Sequence, residues 1–242
     1  MRYVLLLLNW LAVWILSPAS SVEKFAYVAI ISPGENAQVH APIPVQAVLI
    51  GESARSLRLE LYGADGRLLA RRLLGLSDVG IDPNQPVVQL DYEVPRPVEQ
   101  GWLRLVVLDE YRRFMAVDTQ QLDLRSGGGA ELALVSEAIP DITIEAPKAL
   151  AQVAGGVVRV EGRIAAEVNL PLRVRLIDRD GVIVGQRLAG SSPNADQGDI
   201  AFFAEVPYWV TQPTSVRLLV FEEGRDLPQV LAASSLELVL NP

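Results

Sequence analysis

The sequence predicts an all-β chain of two tandem antiparallel β-sandwiches behind an N-terminal export signal. Three observations carry that reading. An order-preserving internal repeat of about 114 residues divides the 242 residues into two similar halves. Within each half, apolar and polar residues alternate with period two. Turn residues punctuate these runs, and the chain holds 18 Gly and 16 Pro.

The repeat is read from six landmarks in the same order. Pro33 and Gln38-Val39 return as Pro147 and Gln152-Val153, 114 residues on. Leu57-Arg58-Leu59-Glu60-Leu61 matches Leu172-Arg173-Val174-Arg175-Leu176, and Asp65-Gly66 matches Asp180-Gly181, both at 115. Glu93-Val94-Pro95 is set against Glu205-Val206-Pro207 at 112, and Leu103–Glu110 against Val216–Glu223 at 113. Leu122-Asp123-Leu124 closes the series with Leu236-Glu237-Leu238 at 114.

Each copy reads as seven short strands. In the second they are Ile142–Glu145, Val157–Gly162, Leu170–Asp178, Val182–Leu188, Asp199–Val206, Ser215–Glu222 and Val230–Leu240. Leu172, Val174 and Leu176 fall on one face of a strand, and Arg173 and Arg175 on the other, facing water. Leu61 and Glu60 repeat the contrast in the first copy. A sheet buried on one face only is antiparallel rather than the product of βαβ units. Asp180-Gly181 supplies the positive φ of a tight hairpin. Seven strands in about 100 residues indicate a sandwich of the immunoglobulin-like class.

Arg125-Ser126-Gly127-Gly128-Gly129 begins the stretch between the copies, where three glycines favour a hinge over a strand. The domains follow as residues 1–21 (signal peptide), 24–124 (first sandwich), 125–140 (Gly-rich linker) and 141–242 (second sandwich). The two sandwiches are expected to hang like beads, without a shared core, and to fold separately.

Arg2 precedes an apolar run from Val4 to Leu16, interrupted by Asn9. Thirteen helical residues reach about 20 Å, short of the roughly 30 Å hydrocarbon core. Pro18 then breaks the helix, and Ser17-Pro18-Ala19 offers small residues to a signal peptidase. Cleavage near Ser20–Val22 is expected; the alternative is retention as an anchor, for which Trp10 and Trp14 speak. Both place the remainder outside the cytoplasm, secreted or at the cell surface, with no membrane span after cleavage.

A net charge of −8 argues against nucleic acid, whose phosphates require clustered Lys and Arg. The absence of Cys excludes disulfides, thiolate nucleophiles and cysteine metal sites.

Residues 141–240 resemble the immunoglobulin-like domain of bacterial sporulation and germination proteins, also found in other exported bacterial proteins. The resemblance rests on Ile144-Glu145-Ala146-Pro147, Val158–Arg163, Leu172–Gly181 with Asp178-Arg179-Asp180-Gly181, and Val216–Glu222. The first copy matches more loosely, with Ala47 opposite Gly162 and Gly63 opposite Asp178. The resemblance implies the sandwich fold and an extracytoplasmic adhesive or scaffolding role. It brings no catalytic residues.

No catalytic, cofactor-binding or metal site emerges, and no enzyme is expected. His40 is the sole histidine, which excludes a multi-histidine zinc site, and Val39-His40-Ala41-Pro42 reads as a solvated strand-to-turn segment. Gly75–Gly80 lacks the spacing of a nucleophile elbow. Asp178 and Asp180 flank a turn, while Asp78, Asp82 and Asn84, and in the other copy Asp196 and Asp199, form acidic loops without the alternation of a calcium loop. Tyr208 and Trp209 are expected to close the sandwich end, the alternative being a contact with sugars or a protein. The Arg71-Arg72 and Arg112-Arg113 pairs read as solvated charges. The function expected is an exported envelope binding or scaffold protein whose partner is a protein or cell-wall polysaccharide. The rival is a secreted carbohydrate-binding module, which calls for a row of exposed aromatics on one face.

Overall fold

A computed structural model describes residues 25–51, 54–75, 88–127, 140–165, 168, 171–193, 200–224 and 229–242. The signal segment, most of the expected linker, and the loops holding Asp78, Asp82, Asn84, Asp196 and Asp199 lie outside the described residues. All regular structure among the described residues is strand.

The first half contains β1 (Tyr27–Ser32), β2 (Ala37–His40), β3 (Ile43–Ile50), β4 (Ser56–Gly63), β5 (Leu68–Leu74), β6 (Val88–Leu90), β7 (Val98–Leu108) and β8 (Phe114–Arg125). One sheet has the order β1-β3-β6; the other runs β5-β4-β7-β8, with β2 added in parallel on β8. The second half contains β9 (Ile142–Ala146), β10 (Gln152–Val153), β11 (Val157–Ile164), β12 (Arg173–Asp178), β13 (Ile183–Leu188), β14 (Gly190–Pro193), β15 (Ile200–Pro207), β16 (Thr214–Glu223) and β17 (Val230–Leu240). Its sheets run β9-β11-β15-β14 and β13-β12-β16-β17, with β10 parallel on β17. The order is the same in both halves, strand for strand, except that β14 has no counterpart among the described residues. Two facing antiparallel sheets in this order make each half an immunoglobulin-like sandwich.

Each sandwich has its own core. Leu57, Leu59 and Leu61 of β4, with Leu103 and Leu105 of β7, fill the first. Val174 and Leu176 of β12, with Leu172 just before it and Leu218 and Val220 of β16, fill the second. Burying one such side chain stabilises by about 1.5–3 kcal/mol. The hairpins form where expected, with Gly66 at φ 77° and Gly181 at φ 83°. Asp178 Oδ1 accepts the N–H groups of Asp180 (2.9 Å) and Val182 (2.8 Å), which makes this carboxylate part of the turn.

Three landmarks of the repeat are displaced. Leu59 pairs with Leu105 and its counterpart Val174 with Val220, so β7 and β16 correspond at 115 rather than 113. Val39 pairs with Leu124 and Val153 with Leu240, so β8 and β17 correspond at 116 rather than 114. Ile43 pairs with Leu90, and its counterpart Val158 pairs with Val206. Tyr92 is therefore the equivalent of Tyr208, and Val94-Pro95 is not the equivalent of Val206-Pro207. The hydroxyl of Tyr92 lies 2.7 Å from the Val39 carbonyl and 3.1 Å from that of Arg125. The hydroxyl of Tyr208 lies 3.0 Å from the Val153 carbonyl and 2.9 Å from that of Asn241. Both rings clamp the parallel strand to the last strand of the sandwich.

The sandwiches do not hang like beads. β8 and β17 meet antiparallel at Val117 and Ala233, making one sheet continuous across both halves. Val106 and Val117 pack against Leu219, Phe221 and Ala233 in a third apolar cluster between the sandwiches. Beside it lies a buried polar interlock. Arg113 donates to Asp109 Oδ2 (2.7 Å) in its own sandwich, and to the Ile177 carbonyl (3.0 Å) and Glu237 (2.6 Å) in the other. Arg217 reaches back to Asp109 (3.0 Å) while bonding Glu237 (2.7 Å) and Ser235 (2.9 Å). Arg104 donates to the Val230 carbonyl (2.9 Å) and to Gln229, and pairs with Glu60 at 3.2 Å.

Two sequence expectations fail at this interface for one reason. Glu60 was expected to face water and is 1% exposed; Arg113 was expected to be solvated and is 5% exposed. Period two gives the faces of a strand correctly, but the outer face of the first sandwich is covered by the second. Charges remain there because each is paired and hydrogen-bonded.

Candidate functional site

β15 carries the doublet Phe202-Phe203. Because successive side chains of a strand point to opposite faces, one ring must face the core and the other must face out. Phe202 is buried in the second core, and Phe203 is 58% exposed on the outer face. Phe203 pairs with Glu161 of β11 on one side and Gly190 of β14 on the other. A Cβ at Gly190 would stand 2.8 Å from the Phe203 ring, so glycine is what lets the ring settle over the β14 backbone. Phe203 forms one wall of an open recess of about 440 Å³, with Arg159, Glu161, Arg187, Leu188 and Glu205 around it. Arg159 and Glu205 are register partners linked at 3.3 Å. The lining charges balance, leaving an apolar ring framed by donors and acceptors on a sheet rather than on a loop.

Trp209 lies just beyond Pro207 and is 82% exposed, its backbone N–H donating to the Val184 carbonyl (3.4 Å). Tyr208 beside it is buried at the sandwich end. Sequence reading singled out this pair but missed Phe203. The signal was present: two adjacent aromatics in a strand cannot both enter one core.

His40 was read as a solvated loop residue. Instead it ends β2, half-buried, with Arg125 of β8 as its register partner. Asp178 and Asp180 form their turn, and no cluster of three or more metal-binding side chains occurs among the described residues. Arg71 and Arg72 are exposed, although Arg71 still bonds Glu60 at 3.0 Å and Arg72 the Gln89 carbonyl at 2.6 Å.

Electrostatics single out the junction between the sandwiches. Burial pushes the Asp118 carboxyl up to about 8, reinforced by the charge of Asp141 and opposed by the Ile30 N–H it accepts at 2.6 Å. Burial also acts to raise Asp109. There, hydrogen bonds from the Arg113 backbone and guanidinium, with the charges of Arg113 and Arg217, prevail and hold it below the ordinary value.

No family model and no curated protein matches the chain. Among solved structures, fibronectin(III)-like modules of Clostridium thermocellum CbhA align over 88% of this chain and 94% of theirs, at 15% identity and TM-score 0.27. Dimeric latent PorU from Porphyromonas gingivalis aligns over 89% of this chain and 24% of its own, at 10% identity and TM-score 0.26. A chimeric titin Z1Z2-Z1Z2 tandem, functionalized with a GRGDS peptide from fibronectin, aligns over 89% of this chain and all of its own, at 17% identity and TM-score 0.24. Likeness at this level carries no argument, and the fold assignment rests on strand order and the two cores.

Proposed function

We propose that the protein is an exported, non-enzymatic binding and scaffold protein of the cell envelope, presenting the β11–β15 face of its second sandwich to a partner. The observation that carries this reading is Phe203, an exposed ring held in place by Gly190 and framed by two arginines and two glutamates. Interfaces commonly draw most of their affinity from such a central aromatic anchor within a polar rim. The interlock of Asp109, Arg113, Arg217 and Glu237 supports the scaffold role, because it fixes the direction in which that face points. The apolar N-terminal run and the resemblance of residues 141–240 to sporulation and germination domains support the envelope location. Fold alone settles none of this.

A carbohydrate-binding role is the second reading, favoured by Trp209. It lies six residues beyond Phe203 and two past the end of β15, so the chain sets their separation at no more than about 20 Å, within the span of several sugar units. The test is cosedimentation of the exported protein with purified cell envelopes. Phe203→Ala should weaken binding at least tenfold with unchanged circular dichroism; undiminished binding would overturn the assignment of this face. Binding abolished by protease treatment of the envelopes supports a protein partner. Binding that survives protease and falls in Trp209→Ala supports the glycan.

A further inference from the structure

The clamp formed by Tyr92 leaves something over that the clamp formed by Tyr208 does not. In both sandwiches the tyrosine hydroxyl and strand backbones hold the end together. In the second, the residues beside the clamp are Ala154 and Asn241; in the first they are His40 and Arg125. These two side chains are therefore not required by the clamp. They are register partners on the parallel pair β2–β8, and both line a recess of about 440 Å³ with Tyr92, Glu93 and Ser126. His40 Nδ1 and Arg125 Nε are both buried without a hydrogen-bond partner. Buried polar atoms left unpaired cost about 1–3 kcal/mol each, more when charged, and are rarely left so in folded chains. Arg58 and Arg175 also leave an Nε unpaired, but among the described residues it is His40 and Arg125 that line one recess together.

We infer that this recess is a binding site for a small oxyanion group, a phosphate, sulfate or carboxylate carried by a ligand. It is independent of the Phe203 face. Arg125 Nε–H donates to one ligand oxygen, and the Nδ1–H tautomer of His40 donates to another. Charge-assisted bonds of this kind suit a guanidinium, whose N–H groups match oxyanion geometry. Glu93 on the remaining wall opposes the charge of Arg125. The groups facing the recess are His40 from β2, Tyr92 and Glu93 from the segment after β6, and Arg125 from β8.

A single histidine makes the test direct, because the chain has one imidazole signal. Proton–carbon NMR follows His40 Hε1 while phosphate, sulfate or acetate replaces chloride at constant ionic strength. The expected result, at constant pH, is a shift that saturates with anion concentration. It should weaken about tenfold or more in Arg125→Gln, the loss of one charge-assisted bond. It should tighten several-fold in Glu93→Gln, which removes the opposing charge, and remain unchanged in Arg173→Gln, an exposed arginine of β12. A response to acetate alone assigns the site to carboxylates, and one to phosphate or sulfate alone to tetrahedral anions; either carries the inference. A shift that grows linearly without saturation, or is the same in Arg125→Gln and Glu93→Gln, overturns it.

Discussion

Val117 of β8 and Ala233 of β17 hold the same position in their respective sandwiches, 116 residues apart, and they meet where the two strands run antiparallel. The contacts around them follow suit. Thr119 Oγ1 donates to the Leu231 carbonyl at 2.7 Å, and Ser235 Oγ donates to the Met115 carbonyl at 2.6 Å. At the same offset of 116, residue 119 corresponds to 235 and residue 115 to 231, so one bond is the mirror of the other. The interface has an approximate two-fold axis, as in an isologous dimer.

Removing one member of the interlock strands its partners. Arg217→Ala takes a guanidinium from buried Asp109 and is expected to cost about 3–5 kcal/mol in the urea midpoint. Arg163→Ala breaks a 2.7 Å pair with Glu145 whose side chains are 39% and 46% exposed, and should cost less than about 1 kcal/mol. Equal losses would mean that the interlock adds nothing beyond a surface pair.

The two copies should respond differently at equivalent sites. Leu176→Ala empties core volume and is expected to cost about 2–5 kcal/mol. Arg175→Ala removes a cation stacked 4.8 Å from the Phe221 ring, a loss of about 1 kcal/mol or less. Its counterpart Glu60→Ala leaves Arg104 buried against Tyr62 and should cost about 3 kcal/mol or more. Chemical denaturation of the three variants ranks them, and a harmless Glu60→Ala would deny that the second sandwich covers the first.

Tyr92→Phe and Tyr208→Phe each remove one hydroxyl from an equivalent pair of carbonyls. Each should cost about 1 kcal/mol, and the losses should add, since the sites lie in separate sandwiches. A cost confined to one copy would show that the clamps are not equivalent.

Asp118 gives the stability curve a specific pH dependence. Its folded-state value of about 8 lies above the ordinary 3.8. Between about pH 4 and 8 the folded chain therefore holds a proton that the unfolded chain has released, and this group's contribution falls as pH rises through that window. Asp118→Asn can still accept the Ile30 N–H and carries no charge. It should be more stable than wild type above pH 8 by on the order of a few kcal/mol, with little difference below pH 4. Parallel pH profiles for the two proteins would refute the assignment.

Much of the fold was legible because its causes are local. Alternation in Leu172–Leu176 and the glycines at 66 and 181 act over a few residues, and the matching strand order follows from the repeat. What escaped reading was decided by distant residues. Glu60 and Arg113 look like surface charges in any local window, and only the other sandwich, more than 100 residues away, buries them. The short β10 and β14 lack enough residues to establish a period. Of the recesses, the Phe202-Phe203 doublet announces one ring outside the core, whereas nothing near His40 in sequence reveals Arg125 as its neighbour.

The two-fold relation between the sandwiches makes this chain a dimer written in one piece. Joining two partners turns an association that depends on dilution into one set by an effective concentration, commonly millimolar for a short flexible tether. An attraction too weak to hold separate molecules together at cellular concentrations thus suffices within one chain. Severed between residues 127 and 140, the halves would recover that dependence, parting on dilution and reassembling when mixed. Copies of the first half alone would meet one another through Val106, Leu108 and Val117, the surface it now turns toward its twin.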